Sequence, residues 1–166
     1  MKIEDNFLEQ TIFDRLQSLM MGKDFAWYYN SYIDDKDDVN NFQFVHFFYK
    51  HDSPTSSLTA QMNPILDKIG GLSLWRIKAN LLTRTPNIIV NKFHVDFELN
   101  SPEKLKQWTT SIFYMNTNNG YTKFEDGTKV ESVANRMVSF PANMKHTGTS
   151  CTDEKTRIVI NFNYFK

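Results

Sequence analysis

The chain has a single cysteine, Cys151, among its 166 residues. A lone cysteine cannot close an internal disulfide, so a disulfide scaffold is excluded and Cys151 reads as a small buried hydrophobe. No apolar run reaches the roughly 18 residues that a membrane-crossing helix needs, which excludes a helical span. Net charge is missing too, because nineteen Lys and Arg offset nineteen Asp and Glu. Without a global field, attraction to nucleic acid would require a local patch. Repeats, low-complexity tracts and linkers are absent, and the opening MKIEDNFLEQ carries acids where a secretory leader would carry basic and then apolar residues. The expectation is therefore one cytoplasmic domain, 1–166, long enough to bury about two-thirds of its unfolded surface.

What is present is an aromatic-rich globular composition, with fourteen phenylalanines. Between residues 7 and 21, Phe7, Leu8, Ile12, Phe13, Leu16 and Met20 recur at helical spacing and predict an amphipathic helix that packs on a sheet. Two aromatic stretches, 24–30 and 42–49, suit strands, and the acidic loop 34–38 between them reads as solvated surface. Residues 56–69 predict a second helix ending at Gly70-Gly71. From Leu72 onward, short alternating runs punctuated by Asn, Gly, Asp and Pro replace the helical period, and Asp126-Gly127 is a two-residue hairpin signal. Helices followed by about eight strands predict a mainly β, α+β domain. Its core would be a double-stranded β-helix, the jelly roll of cupin-like proteins, with flanking N-terminal helices.

The chemistry concentrates in this second half. In KFHVDFELN, residues 92–100, strand alternation would put His94 and Asp96 on one face, about 6.5 Å apart. His146 follows a predicted strand at 135–140 and a loop, where a jelly roll could return it beside the first pair. Two imidazoles and a carboxylate leave open positions on a metal and suit Fe(II) oxygen chemistry, although zinc accepts the same ligands. Ten residues intervene between His146 and Arg157, which begins the run RIVINFNYF. Alternation there puts Arg157, Val159, Asn161 and Asn163 on one face, so a guanidinium would share the metal's interior and need an anionic partner. Pairing of Arg157 with Asp153 or Glu154 at a strand end is the competing arrangement. His46 and His51 have no partner at ligand spacing.

The order HVD, then KHTGTSCTDEKTR, resembles the iron and 2-oxoglutarate-dependent dioxygenase superfamily, especially its prolyl-hydroxylase-like branch. TTSIFYMN, GYTKFEDG and NRMVSFP look like that family's core strands in order, and the chain also resembles the short oxygenases that phages encode, which would place the protein in a host cytoplasm. The resemblance implies Fe(II) on His94, Asp96 and His146, with 2-oxoglutarate and O2 as co-substrates. It implies that Arg157 holds the far carboxylate, aided by Tyr114 in SIFYMN, and that Asn80 in WRIKANLL bonds the co-substrate, although Leu82 stands where relatives with that asparagine carry a tyrosine. The activity implied is hydroxylation of an unactivated carbon with release of succinate and CO2. Asn161 and Asn163 would then meet a polar part of the substrate or a water beside the iron. A peptidyl proline is the first expectation for that substrate, a small metabolite the second and a methylated nucleobase the third. The alternatives are a cupin-like metalloenzyme that does not use 2-oxoglutarate and a non-catalytic jelly-roll module that binds metal or 2-oxoglutarate.

Overall fold

The computed structural model describes residues 1–34, 36–37 and 40–166. In chain order its elements are β1 (Lys2–Glu4), α1 (Gln10–Met20), β2 (Tyr28–Asn30), β3 (Gln43–Lys50), β4 (Ser53–Pro54), a 3-10 turn (Thr59–Met62), α2 (Asn63–Ile69) and β5 (Ser73–Thr83). There follow α3 (Pro102–Lys106), β6 (Trp108–Tyr114), β7 (Tyr121–Phe124), β8 (Lys129–Glu131), β9 (Arg136–Pro141), β10 (His146–Gly148) and β11 (Thr156–Phe165). The larger sheet has the order β1-β9-β6-β11-β5-β3-β2, with β4 beside β3, and the smaller runs β10-β7-β8; every pairing is antiparallel.

Period-two alternation in β11 divides the interior into two layers. Ile158, Ile160, Phe162 and Tyr164 face the helices and pack with Phe13, Leu16 and Met20 of α1 and Ile65 and Ile69 of α2. Val159, on the opposite face, joins Ile112, Tyr114, Val138 and Phe140 against Phe124 and Val130 of the small sheet. The large sheet is thus covered by helices on one side and by the small sheet on the other, the jelly-roll core expected from the sequence. Phe113 is wholly buried and touches the rings of Phe7 and Phe13, both 5.9 Å away, so it pins α1 to the sheet. Phe113→Ala should cost about 3–5 kcal/mol of stability, the usual range for emptying a buried aromatic site. A urea-midpoint shift worth less than about 1 kcal/mol would remove Phe113 from that role.

Several local expectations change. The first helix begins at Gln10 rather than Phe7. The second is split into the 3-10 turn and α2, and it ends where Gly70 takes a left-handed φ of 63°. The Asp126-Gly127 hairpin has a three-residue loop. Gly127 N–H donates to Phe124 O, Phe124 N–H donates to Thr128 O, and only Gly127 has positive φ, at 90°. This is a type I turn closed by a glycine bulge. Residues 92–100 do not form the expected strand. His94 exchanges both backbone hydrogen bonds with His146, at 3.0 Å each, and Val90 bridges Thr149, but no ladder continues. Past His94 the chain follows the carboxylate of Asp96 down toward β5 and β11. Asp35 and Asp38 of the expected acidic loop lie outside the described residues, and Asp34, expected at the solvated surface, instead turns inward with Oδ1 3.3 Å from His94 Nδ1. Among the described residues no helix is long and apolar enough to cross a membrane.

Candidate metal and co-substrate site

His94, Asp96 and His146 offer one ligand atom each, and these atoms lie within 4.8 Å of one another. The backbone bridge between His94 and His146 brings the two imidazoles to a centroid distance of 4.9 Å. In each ring Nδ1 lies 3.2 Å from a carbonyl, Lys92 O for His94 and Met144 O for His146. An Nδ1–H donated to a carbonyl leaves Nε2 with its lone pair, the form that binds a metal. Burial pushes the His146 imidazole below its ordinary range, and Asp96 only partly opposes this, so the ring is held neutral. His146 Nε2 is buried and has no hydrogen-bond partner. Buried polar atoms are rarely left so, and a metal ion would complete this one.

Asp96 is tied down from below. Asn163 Nδ2 donates to its Oδ2 at 2.8 Å, Asn161 Nδ2 lies 3.3 Å from both oxygens, and Arg76 Nη2 is 3.1 Å from Oδ1. Burial alone would raise the Asp96 carboxyl, but Arg76, the two histidines and Asn163 outweigh it and hold the group well below the usual carboxylate range. Asp96 is therefore an anion, as a ligand must be. Arg76 was not singled out by the sequence, although its alternation with Lys78 and Asn80 in WRIKANLL was the available signal.

The triad opens on a cavity of about 370 Å³ whose floor is one face of β3, β5 and β11. Arg157 lies at its other end, 3 % exposed. Its Nε donates to Ser132 Oγ at 2.9 Å, its Nη2 donates to Thr122 Oγ1 at 3.2 Å, and the Tyr114 ring lies 5.7 Å away. Two of the five guanidinium hydrogens are thereby used. Among the described residues no carboxylate pairs with Arg157; Asp153 instead accepts from Asn119 N. The expected competing arrangement is absent, and burial lowers the guanidinium's proton affinity.

The other expected site residues divide. Asn80 lines the cavity between Arg157 and the triad, and its side-chain amide has no hydrogen-bond partner among the described residues. Asn161 lines it too, and its Oδ1 is buried without a partner. Asn163 is wholly buried, with its amide given to Asp96 and Thr110 while its Oδ1 accepts from Arg76 Nε. Tyr114 is also wholly buried, and its hydroxyl donates to Thr122 Oγ1 at 2.8 Å. Thr122, missed in the sequence, lines the cavity and accepts from both Tyr114 and Arg157, which leaves its own hydrogen free to donate. Buried His46 bonds Ala26 O and Ser56, far in role from the site.

No protein-family model matches the sequence, and no curated protein matches it. Solved structures do. A prolyl hydroxylase from Trichoplax adhaerens, solved with a hypoxia inducible factor peptide fragment, superposes with a TM-score of 0.67 at 12% identity, over 99% of this chain and 82% of that one. The viral collagen prolyl hydroxylase of Paramecium Bursaria Chlorella virus-1, in its 2OG complex, gives 0.57 at 14% identity over 99% and 95%. A non-heme alpha ketoglutarate dependent carbocyclase from nogalamycin biosynthesis gives 0.64 at 11% over 99% and 78%. The fold is that of the 2OG-Fe(II) oxygenases.

Within this oxygenase fold the arginine pocket leaves no slack. A Cβ on Gly120 would lie 2.7 Å from Arg157 Cδ and 2.7 Å from Ser150 O, so only glycine lets the guanidinium settle there. Gly120→Ala should displace Arg157 and weaken a carboxylate bound to its guanidinium about tenfold, the effect of weakening one charge-assisted contact. A titration with 2-oxoglutarate checks this, and an isotherm equal to wild type would mean that Arg157 does not meet that carboxylate.

Proposed function

We propose that the chain is an Fe(II)- and 2-oxoglutarate-dependent dioxygenase, a single domain over residues 1–166, that hydroxylates an unactivated carbon. The observation that carries this reading is the cavity itself, which has an uncompensated buried guanidinium at one end and a histidine-aspartate-histidine cluster with an orphaned Nε2 at the other. A buried cation without a counterion is costly, and a co-substrate carboxylate would supply one. A cupin-like enzyme without 2-oxoglutarate has no use for Arg157 so placed, and turnover separates the oxygenase from a module that only binds metal or 2-oxoglutarate.

His94, Asp96 and His146 would hold Fe(II), which when bound supplies the activation of O2 against 2-oxoglutarate, with succinate and CO2 as products. The carbonyls of Lys92 and Met144 fix the imidazole tautomers, and Arg76, Asn161 and Asn163 fix the carboxylate. Arg157 and Thr122 take the far carboxylate of 2-oxoglutarate, while Tyr114 orients Thr122 from beneath. Asn80 meets the co-substrate midway. Asn161 Oδ1 remains to accept from the substrate, and we assign Asn163 to Asp96 instead. A peptidyl proline is the first substrate candidate, in line with the prolyl hydroxylases among the structural neighbours, and a small metabolite is the second.

Anaerobic addition of Fe(II) and then 2-oxoglutarate should develop the visible charge-transfer band of a keto acid chelated to Fe(II), and admitting air should release succinate. Metal binding without the band would favour the cupin-like alternative. The band without succinate in air would favour the non-catalytic module.

A further inference from the structure

The cavity-facing row of β5 contains Arg76, Lys78, Asn80 and Leu82. Arg76 is neutralised by Asp96, but Lys78 is not. Lys78 stands beside Asn161 of β11 and Phe47 of β3 in the sheet. Among the described residues its ammonium has no hydrogen-bond partner and no carboxylate within 4.0 Å, and its recorded contact is the Phe47 ring, 5.8 Å from the centroid. Lys50, also on the cavity wall, lies 4.9 Å from the same centroid. Two cations therefore flank one aromatic ring inside the cavity.

The carboxylates that act on Lys78, Asp96 and Asp34, both lie beyond ion-pair distance of its ammonium. Asp96 is held by Arg76 and the two asparagines, and Asp34 Oδ1 faces His94 Nδ1 at 3.3 Å while its Oδ2 is buried without a hydrogen-bond partner among the described residues. Burial, followed by Arg76, pushes the Lys78 ammonium down to about 8, which leaves it charged at neutral pH. Lysine is strongly hydrated and normally extends its head into water, so two lysines on a cavity wall with no ion-pair partner among the described residues call for an anionic occupant. The 2-oxoglutarate carboxylate at Arg157 is not that occupant. Arg157 pairs across the sheet with Leu82, four residues from Lys78 and roughly 13 Å along the strand.

We propose that Lys78 and Lys50 form an oxyanion subsite that holds a carboxylate or phosphate of the molecule to be oxidised, with Asn161 Oδ1 accepting from a donor on the same molecule. This rests on the proposed oxygenase function for the fate of the ligand, but not for its binding. A cavity of about 370 Å³ shared with the co-substrate suits a small acid or one acidic group of a peptide.

The test separates the two claims. Protein loaded with Zn(II) and 2-oxoglutarate, and labelled with nitrogen-15 at lysine Nζ, is titrated with acetate, inorganic phosphate and neutral acetamide. The Lys78 and Lys50 resonances, assigned by Lys78→Gln and Lys50→Gln, should shift saturably with an anion and not with acetamide. Stronger acetate binding identifies a carboxylate site, and stronger phosphate binding a phosphate site. Lys78→Gln should weaken the anion response at Lys50 about tenfold, the loss of one charge-assisted contact. The co-substrate affinity should stay unchanged. A Lys78 signal unmoved by either anion, or an equal response to acetamide, overturns the subsite, and so does a matching loss of 2-oxoglutarate affinity in Lys78→Gln. In the Fe(II) enzyme, L-proline should stimulate succinate release more than L-prolinamide, which lacks the carboxylate, and Lys78→Gln should erase the difference. Anion binding at Lys78 with no oxygen-dependent loss of 2-oxoglutarate would leave the subsite standing and remove the oxygenase function.

Discussion

His146→Ala should abolish oxygen-dependent conversion of 2-oxoglutarate and weaken Fe(II) binding by more than about a hundredfold, since losing groups that merely orient ligands already costs 10–100-fold. The same substitution should cost the folded protein about 1–3 kcal/mol, the loss of the Nδ1 hydrogen bond to Met144 O and of the buried ring's contacts with Phe124 and Phe140. His146 Nε2 adds nothing to that loss, and the backbone bridge to His94 does not depend on the ring. Asp96→Ala should also abolish turnover but behave differently in unfolding. It strips Arg76, Asn161 and Asn163 of their common acceptor, and breaking a buried ion pair from one side costs about 3–5 kcal/mol. Arg76 retains some exposure, so the lower end of that range is expected. Equilibrium dialysis of Fe(II) and thermal unfolding of the metal-free variants measure the two effects separately. If His146→Ala keeps wild-type iron affinity, the triad is not the metal site.

These two variants also mark where the sequence was readable. That His94 and His146 would meet followed from strand order in a jelly roll, and the backbone bridge between them bears that out. The face assignment along β11 held through Tyr164 because a strand buried on both sides keeps strict alternation. The expected strand at 92–100 failed because alternation records which side chains are wanted inside, not whether the backbone finds a partner. Here the carboxylate of Asp96 is drawn to Arg76 and the asparagines, and the ladder stops at His94. Asn163 and Tyr114 sit on the correct faces, yet both spend their polar atoms on neighbours. Such choices depend on side-chain reach across strands far apart in the chain, such as Tyr114 to Thr122 beneath Arg157, and a single sequence carries no signal for them. Lys78 and Arg76 were visible as an alternating basic pair, but their pairing state needed the fold.

Arg157→Ala is the substitution that isolates the co-substrate. Among the described residues the guanidinium has two hydroxyl acceptors, an aromatic face and no carboxylate, so none of them offsets its burial as a counterion. Removing it therefore costs the empty protein less than a buried arginine ordinarily would, because the desolvation of an uncompensated cation is relieved as two hydrogen bonds are lost. The ligand-bound state is affected in the opposite sense. A carboxylate there would receive up to three remaining guanidinium hydrogens and the Thr122 hydroxyl, and losing the charged partner costs about 3 kcal/mol or more, roughly a hundredfold in affinity. The 2-oxoglutarate concentration for half-maximal turnover should rise by that factor while Fe(II) affinity and the unfolding temperature of the co-substrate-free protein stay close to wild type. Arg157→Lys should recover part of the loss, since an ammonium restores the charge but not the planar fork. Thermal unfolding with and without 2-oxoglutarate gives an independent reading, because a ligand that binds only the folded state raises its stability in proportion to the logarithm of its concentration over Kd. The wild-type protein should gain stability with added 2-oxoglutarate at concentrations where Arg157→Ala gains none. Equal gains in both proteins would mean that the far carboxylate rests elsewhere in the cavity, and a large loss of stability in the empty variant would make Arg157 a structural cation.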